Sequence, residues 1–159
     1  MKIIIKNILF LLLVCILGLS AYANNADEAK AFFNNYVNAA NSYSTSVPAM
    51  YSPNAVIIRQ VIKPDGTTAN AYFTNAQYQK QLKISSAVAK AKKYKNNYSN
   101  INVTKINETT YKIDADRQPS LGGAKLKTST TVQKQSNGKW LIVKELMQTR
   151  EQIFLKYAK

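Results

Sequence analysis

The chain has 159 residues, no histidine and a single cysteine, and its 22 Lys and Arg against 8 Asp and Glu give a formal charge of +14. The missing histidine removes the usual general base near neutral pH and the commonest metal ligand, which excludes zinc chemistry and Ser-His or Cys-His nucleophiles. Arg59, Arg117 and Arg150 are the only arginines, so the charge is lysine charge; it serves solubility and favours anionic surfaces, whereas nucleic-acid grooves call for arginine forks and interleaved aromatics.

In chain order, residues 1–23 read first as a cleavable export signal. Lys2 and Lys6 form a positive region, Ile8 to Leu19 an apolar run, and Ala21-Tyr22-Ala23 a small-x-small cleavage site. The run is shorter than the roughly 20 residues that span hydrocarbon, which argues against a retained membrane helix. Cys15 sits inside the run behind Val14, away from the end where a lipoprotein cysteine would stand. Cleavage after Ala23 leaves residues 24–159 as one domain with no cysteine and a formal charge of +12, expected in the periplasm or outside a bacterial cell. Its core forms without a disulfide.

Asn25 with Glu28 has the spacing of a capping box, and Ala29, Phe32, Phe33, Tyr36, Val37 and Ala40 then recur at helical spacing. A short helical piece near Val47 to Tyr51 leads through Ser52-Pro53-Asn54 into a strand, Ala55 to Ile62. Pro64-Asp65-Gly66 turns it back along Thr67 to Phe73. Thr74 with Gln77 caps a second helix, about Asn75 to Ala91, whose apolar face is read as Tyr78, Leu82, Ile84, Ala87, Val88 and Ala91. Lys90, Lys92, Lys93 and Lys95 follow at its end, where positive charge complements the helix dipole. Strands are predicted over Tyr98 to Ile106 and Thr109 to Arg117, with Tyr111, Ile113 and Ala115 on one face. Lys125 to Gln135 and Lys139 to Thr149 pair across Ser136-Asn137-Gly138, and a third capping box, Thr149 with Gln152, opens a short C-terminal helix carrying Ile153, Phe154 and Tyr157.

Helices first and long strands afterwards predict an α+β fold, with N-terminal helices packed on a strongly curved antiparallel sheet. Such a sheet closed by helices forms a cone, and its cavity is where a site is expected.

The segments Phe33-Asn34-Asn35-Tyr36-Val37-Asn38-Ala39-Ala40, Ala49-Met50-Tyr51-Ser52-Pro53-Asn54-Ala55-Val56 and Asn137-Gly138-Lys139-Trp140-Leu141-Ile142-Val143 resemble the nuclear transport factor 2-like superfamily. The resemblance implies a cystatin-like α+β cone and admits isomerases, cyclases, dehydratases, scaffolds and ligand binders, so it does not assign a function. Its ketosteroid isomerase-like members need a carboxylate base on the first strand, and a tyrosine with a protonated aspartate for the enolate oxygen. Tyr36 matches that tyrosine. The base position falls on Arg59, which cannot accept a proton, and the second aspartate falls near Thr130.

Asp114, Asp116 and Glu145 read as solvated charges on the outer face, and no acid and base pair is evident. Alternation with Ile58 favours an outward Arg59; facing the cone, it would need an anionic partner such as a carboxylate or phosphate. Tyr36, Tyr51, Arg59, Tyr72, Tyr98 and Trp140 are the candidate ligand-binding residues, since rings with a polar tip suit an amphipathic cavity. The expected product is a non-catalytic small-ligand binder or accessory protein. A cyclase, dehydratase or isomerase using Tyr36 with Asp114 or Glu145, and an envelope-assembly or lipid-carrier protein, are the alternatives. Its expected partners are a small amphipathic or anionic ligand, an anionic membrane surface or envelope protein, and a second copy in a homodimer; no nucleic acid, cofactor or metal is expected.

Overall fold

The computed structural model describes residues 25–158, so the export signal read over 1–23 lies outside the described residues. Helix α1 covers 25–41. Its apolar spacing puts Ala29, Phe33 and Tyr36 on one buried stripe, with Val37 and Ala40 packed at its margin. A 3-10 turn, Val47–Met50, leads into β1 (Tyr51–Ile62) and β2 (Thr68–Phe73), and α2 (Asn75–Ala91) then precedes β3 (Asn96–Asn107), β4 (Thr110–Pro119), β5 (Leu126–Lys134) and β6 (Trp140–Thr149). A second 3-10 turn, Gln152–Tyr157, comes after β6. The class is α+β, with helices packed on a six-stranded curved sheet.

The strand order is β2-β1-β6-β5-β4-β3. It corrects the expectation of a purely antiparallel sheet, because β1 and β6 are parallel. A parallel pair needs a long crossover, and everything from β2 to β5 supplies it here. Hairpins make the remaining neighbours antiparallel. The β5–β6 turn requires left-handed backbone at Gly138 (φ +79°), as Asn137-Gly138 predicts.

Two inner rows position the site. Ile57, Glu145, Thr130 and Ile113 pair across β1, β6, β5 and β4, and Arg59, Met147, Thr128 and Ala115 form the next row. Glu145 reaches the inner face through a bulge: Val132 pairs with Ile142 while Thr131 pairs with Lys144, leaving Val143 extra. One extra residue reverses the alternation beyond it, so Ile142 and Glu145 both face inward.

At the closed end, Trp140 Nε1 donates to Glu28 Oε2 (3.0 Å), and Lys134 Nζ pairs with the same oxygen at 2.7 Å. Those contacts pin the start of α1 to the β5–β6 hairpin. They also correct the first capping box, because the Asn25 side chain is engaged by Glu108 O and Lys134 Nζ rather than by its own helix. The Thr74–Gln77 box forms as expected, Thr74 Oγ1 accepting from Gln77 N (3.2 Å) and Gln77 Oε1 from Thr74 N (2.9 Å). The Thr149–Gln152 box does not: Thr149 Oγ1 accepts from Glu151 N, and Gln152 Nε2 donates to Ile62 O. The segment beyond Glu151 is therefore a 3-10 turn, docked by edge-to-face contacts of Phe154 and Tyr157 with Phe73.

The apolar face read for α2 is also corrected. Tyr78 is buried and Leu82 half-buried, but Ile84 is 70% and Val88 55% exposed. Only the first half of α2 reaches the core; the second half lies across the open end of the cone and closes a cavity rather than packing solidly.

Candidate functional site

Three of the candidate residues meet inside the cone. Glu145 Oε1 accepts from the hydroxyls of Tyr36 (2.8 Å) and Tyr51 (2.9 Å), and Oε2 accepts from Arg59 Nη1 (2.7 Å). The two hydroxyls are themselves 2.9 Å apart. Two phenolic protons therefore serve three short O···O contacts, so one contact at a time is made without a hydrogen between its oxygens. Arg59 lies over the Tyr78 ring, 4.9 Å from its centroid, and Tyr51 stands edge-on to both Tyr36 and Tyr78.

This cluster corrects two expectations. Arg59 points inward, on the row with Ile57 and Val61, although Ile58 on the other face is also buried, between its register partners Tyr72 and Leu146. Both faces of β1 are apolar here, so alternation alone does not orient it. Glu145, read as an outer charge, is 0% exposed because of the bulge at Val143. Asp114 and Asp116 keep the outer face, paired with Lys112 (3.0 Å) and Lys127 (2.5 Å).

The electrostatics are those of a closed ionic knot. Burial works against the Arg59 charge, but Glu145 and the surrounding phenols outweigh it and raise the guanidinium further above its ordinary value. Burial first, and then the negative charge of Glu145, push the Tyr36 and Tyr51 hydroxyls well above the usual phenol range. Tyr78 and Tyr98 shift the same way, again chiefly through burial. A phenol raised in the folded state favours folding while it stays neutral, and that advantage is lost once the unfolded chain ionises. The protein is therefore expected to lose stability as pH rises through about 10, the ordinary phenol value. A base titration should show tyrosinate absorbance from these rings appearing together with loss of ellipticity; their ionisation in a folded protein would refute the shift.

Above the knot, at the open end, is a cavity of about 320 Å³. Tyr36 and Tyr78 separate it from the Arg59–Glu145 pair and form its floor with Met147. Ala40, Val47, Pro48, Leu82 and Ala89 give it apolar walls, and Tyr43, Tyr94, Asn96 and Tyr98 also line it. The Tyr43 hydroxyl is buried with no hydrogen-bond partner among the described residues.

Of the six candidate residues, Tyr36, Tyr51 and Arg59 form the knot, and Tyr36 and Tyr98 line the cavity. Tyr72 and Trp140 stand apart. Tyr72 is on the outer face, beside a broad open groove of about 670 Å³ between β2 and the C-terminal turn. Trp140 serves the closed end through Glu28, Lys134 and Tyr111. Among the described residues no three acidic or cysteine side chains gather as a metal site.

No family model and no curated protein matches this chain. Solved structures do match. A protein of unknown function from Pectobacterium atrosepticum superposes with a TM-score of 0.61 at 16% identity, over 79% of this chain and 91% of its own. A proposed scytalone dehydratase from Novosphingobium aromaticivorans gives 0.59 at 12% identity, over 81% and 86%. A domain of unknown function with a cystatin-like fold from Nostoc punctiforme gives 0.55 at 18% identity, over 84% of each chain. The likeness is one of fold, a cystatin-like α+β cone. Arg59, on which the resemblance places the isomerase base, faces the cone, Thr130 is the register partner of Glu145, and Glu145, the one inward acid on the described strands, is engaged by three donors.

Residues that sequence reasoning missed are Tyr43, Asn96 and Arg117. Arg117 continues the inward row Tyr111, Ile113, Ala115, a signal that was present, and it is 4% exposed. Tyr43 has no periodic signal, because a single left-handed residue (φ 59°) directs it.

Proposed function

We propose that this protein binds a small amphipathic ligand in the cavity at the open end of the cone, without turning it over. The observation that carries this reading is the pairing of an apolar, ring-walled cavity with a carboxylate that has no free role: Glu145 is fully buried behind Tyr36 and Tyr78 and already bound to Tyr36, Tyr51 and Arg59. A general base must reach the proton that it removes, and this one faces three donors instead. Residues 1–23 direct the binder to the periplasm or beyond. The acid-free, lysine-rich segment from α2 to Lys95 suits an anionic envelope surface.

The test is titration with an uncharged fluorescent amphiphile, N-phenyl-1-naphthylamine. The wild type is expected to bind one equivalent, and Ala89→Trp, which fills the cavity from α2, should weaken binding at least about tenfold. Equal binding by the two proteins would place the probe elsewhere and end this reading.

Catalysis is favoured by one observation only, the inward orientation of Glu145 beside Tyr36. It needs the Tyr36 and Tyr51 hydroxyls to release the carboxylate when substrate enters, and it predicts a chemically altered ligand rather than a retained one.

A further inference from the structure

The charges inside the cone do not balance. Arg59 is matched by Glu145, whereas the second interior guanidinium, Arg117 on β4, is 4% exposed and takes part in no ion pair among the described residues. Its partners are neutral: Nη1 donates to Asn96 Oδ1 (2.7 Å) and, at 3.3 Å, to the Tyr94 hydroxyl, and Nη2 donates to Gln148 O (2.6 Å). Its Nε is buried without any partner. The neighbouring Asp116 faces the other side of the sheet, where Lys127 and Asn100 hold it. A buried cation supported only by neutral acceptors is costly, and an anion would relieve that cost.

Arg117 stands directly behind the cavity wall. Two of its acceptors, Tyr94 and Asn96, line the cavity, as does its register partner Tyr98. An independent feature points to the same place. Tyr43 is held in the left-handed region, which a bulky residue rarely adopts; the residue lines the cavity, and its hydroxyl is buried beside it with no partner among the described residues. Two unsatisfied donors thus lie behind the lining of one cavity, and an oxyanion entering there as Asn96 gives way would supply the acceptor that each lacks.

We propose that the ligand is an amphipathic anion, with a carboxylate, sulfonate or phosphate-ester head drawn to Arg117 and Tyr43 and an apolar body against Leu82, Val47 and Met147. This rests on reading the cavity as the ligand site, and it moves the anion anchor expected at Arg59 to Arg117. Arg59 is already neutralised; Arg117 is not. Asn96 exchanges its contact with the guanidinium for the incoming head.

The test compares two probes of one shape at fixed ionic strength: 8-anilinonaphthalene-1-sulfonate and its uncharged parent, N-phenyl-1-naphthylamine. The readout is the ratio of their affinities, corrected for surface binding with Ala89→Trp. In the wild type the sulfonate is expected to bind about 10-fold or more tighter, the usual weight of a hydrogen bond to a charged group. Asn96→Asp places a near-isosteric carboxylate on Arg117, and Arg117→Met removes the charge. Each should bring the ratio to about 1, and the aspartate variant keeps the test decisive should the methionine variant fold poorly. A wild-type ratio near 1, or a preference that survives Asn96→Asp, overturns the proposal while leaving the cavity as a site for neutral amphiphiles. Failure of both probes to bind the wild type removes the cavity reading, and this inference with it.

Discussion

Replacing Glu145 with glutamine is expected to destabilise the protein by about 3–5 kcal/mol, the usual cost of stripping one partner from a buried ion pair. The cost arises from what remains: Arg59 stays charged, 7% exposed, and stacked on Tyr78 with no anion to face. Arg59→Met is expected to cost about as much from the other side, leaving a buried carboxylate held by two phenols. The double variant Arg59→Met, Glu145→Gln should recover most of the loss, because a neutral pair of similar volume replaces the ionic one and the glutamine carbonyl still accepts from the two phenols. Urea unfolding of the four proteins measures this directly. Additive losses in the double variant would mean that the two side chains do not form a coupled pair, and the closed knot would have to be abandoned.

The second large effect is expected at Phe33. It is 1% exposed at the centre of the α1 stripe, edge-on to Tyr98 at 5.5 Å and near Tyr36 at 6.3 Å. Phe33→Ala should cost about 3–5 kcal/mol through lost burial and the void left under α1. The void adjoins two of the cavity tyrosines, Tyr36 and Tyr98, so the uncharged probe should change its affinity in this variant as well. Denaturant midpoint and probe affinity together test it. A loss below about 1 kcal/mol would show that α1 settles onto the sheet without this ring.

Most of the architecture was legible because it rests on periodicity. The α1 stripe, the strand positions, the Asn137-Gly138 turn and the Thr74–Gln77 cap are local patterns, and each corresponds to an element in the structure. The parallel pairing of β1 with β6 was not legible, since nothing in either strand specifies the direction of a partner so distant in the chain. Neither was the outer half of α2: Ile84 and Val88 have the spacing of a core face, but the core ends before it reaches them.

The candidate site was half legible. Tyr36, Tyr51 and Tyr98 were singled out as rings suited to a cavity, and Tyr36 and Tyr98 line it. Arg59 was recognised as a residue that would need an anion, but the partner is intramolecular and was hidden by one bulge. Had β6 continued without the extra Val143, strict alternation from Ile142 would have sent Glu145 outward and left Arg59 unpaired. Register therefore decides whether this cone carries a free cationic anchor at Arg59 or a neutral floor. Arg117 was overlooked for the opposite reason: it ends an inward row that already read as core, and only its neutral partners mark it as unusual.

The most direct measurement of the ligand-binding reading is native mass spectrometry of the protein purified from its own host, beside Ala89→Trp prepared in the same way. The wild type is expected to carry one small molecule per chain, chemically unaltered after incubation, and the filled-cavity variant to carry none. A wild type that emerges at its bare mass, or that releases its passenger as a new compound, would contradict the reading of this cone as a binder.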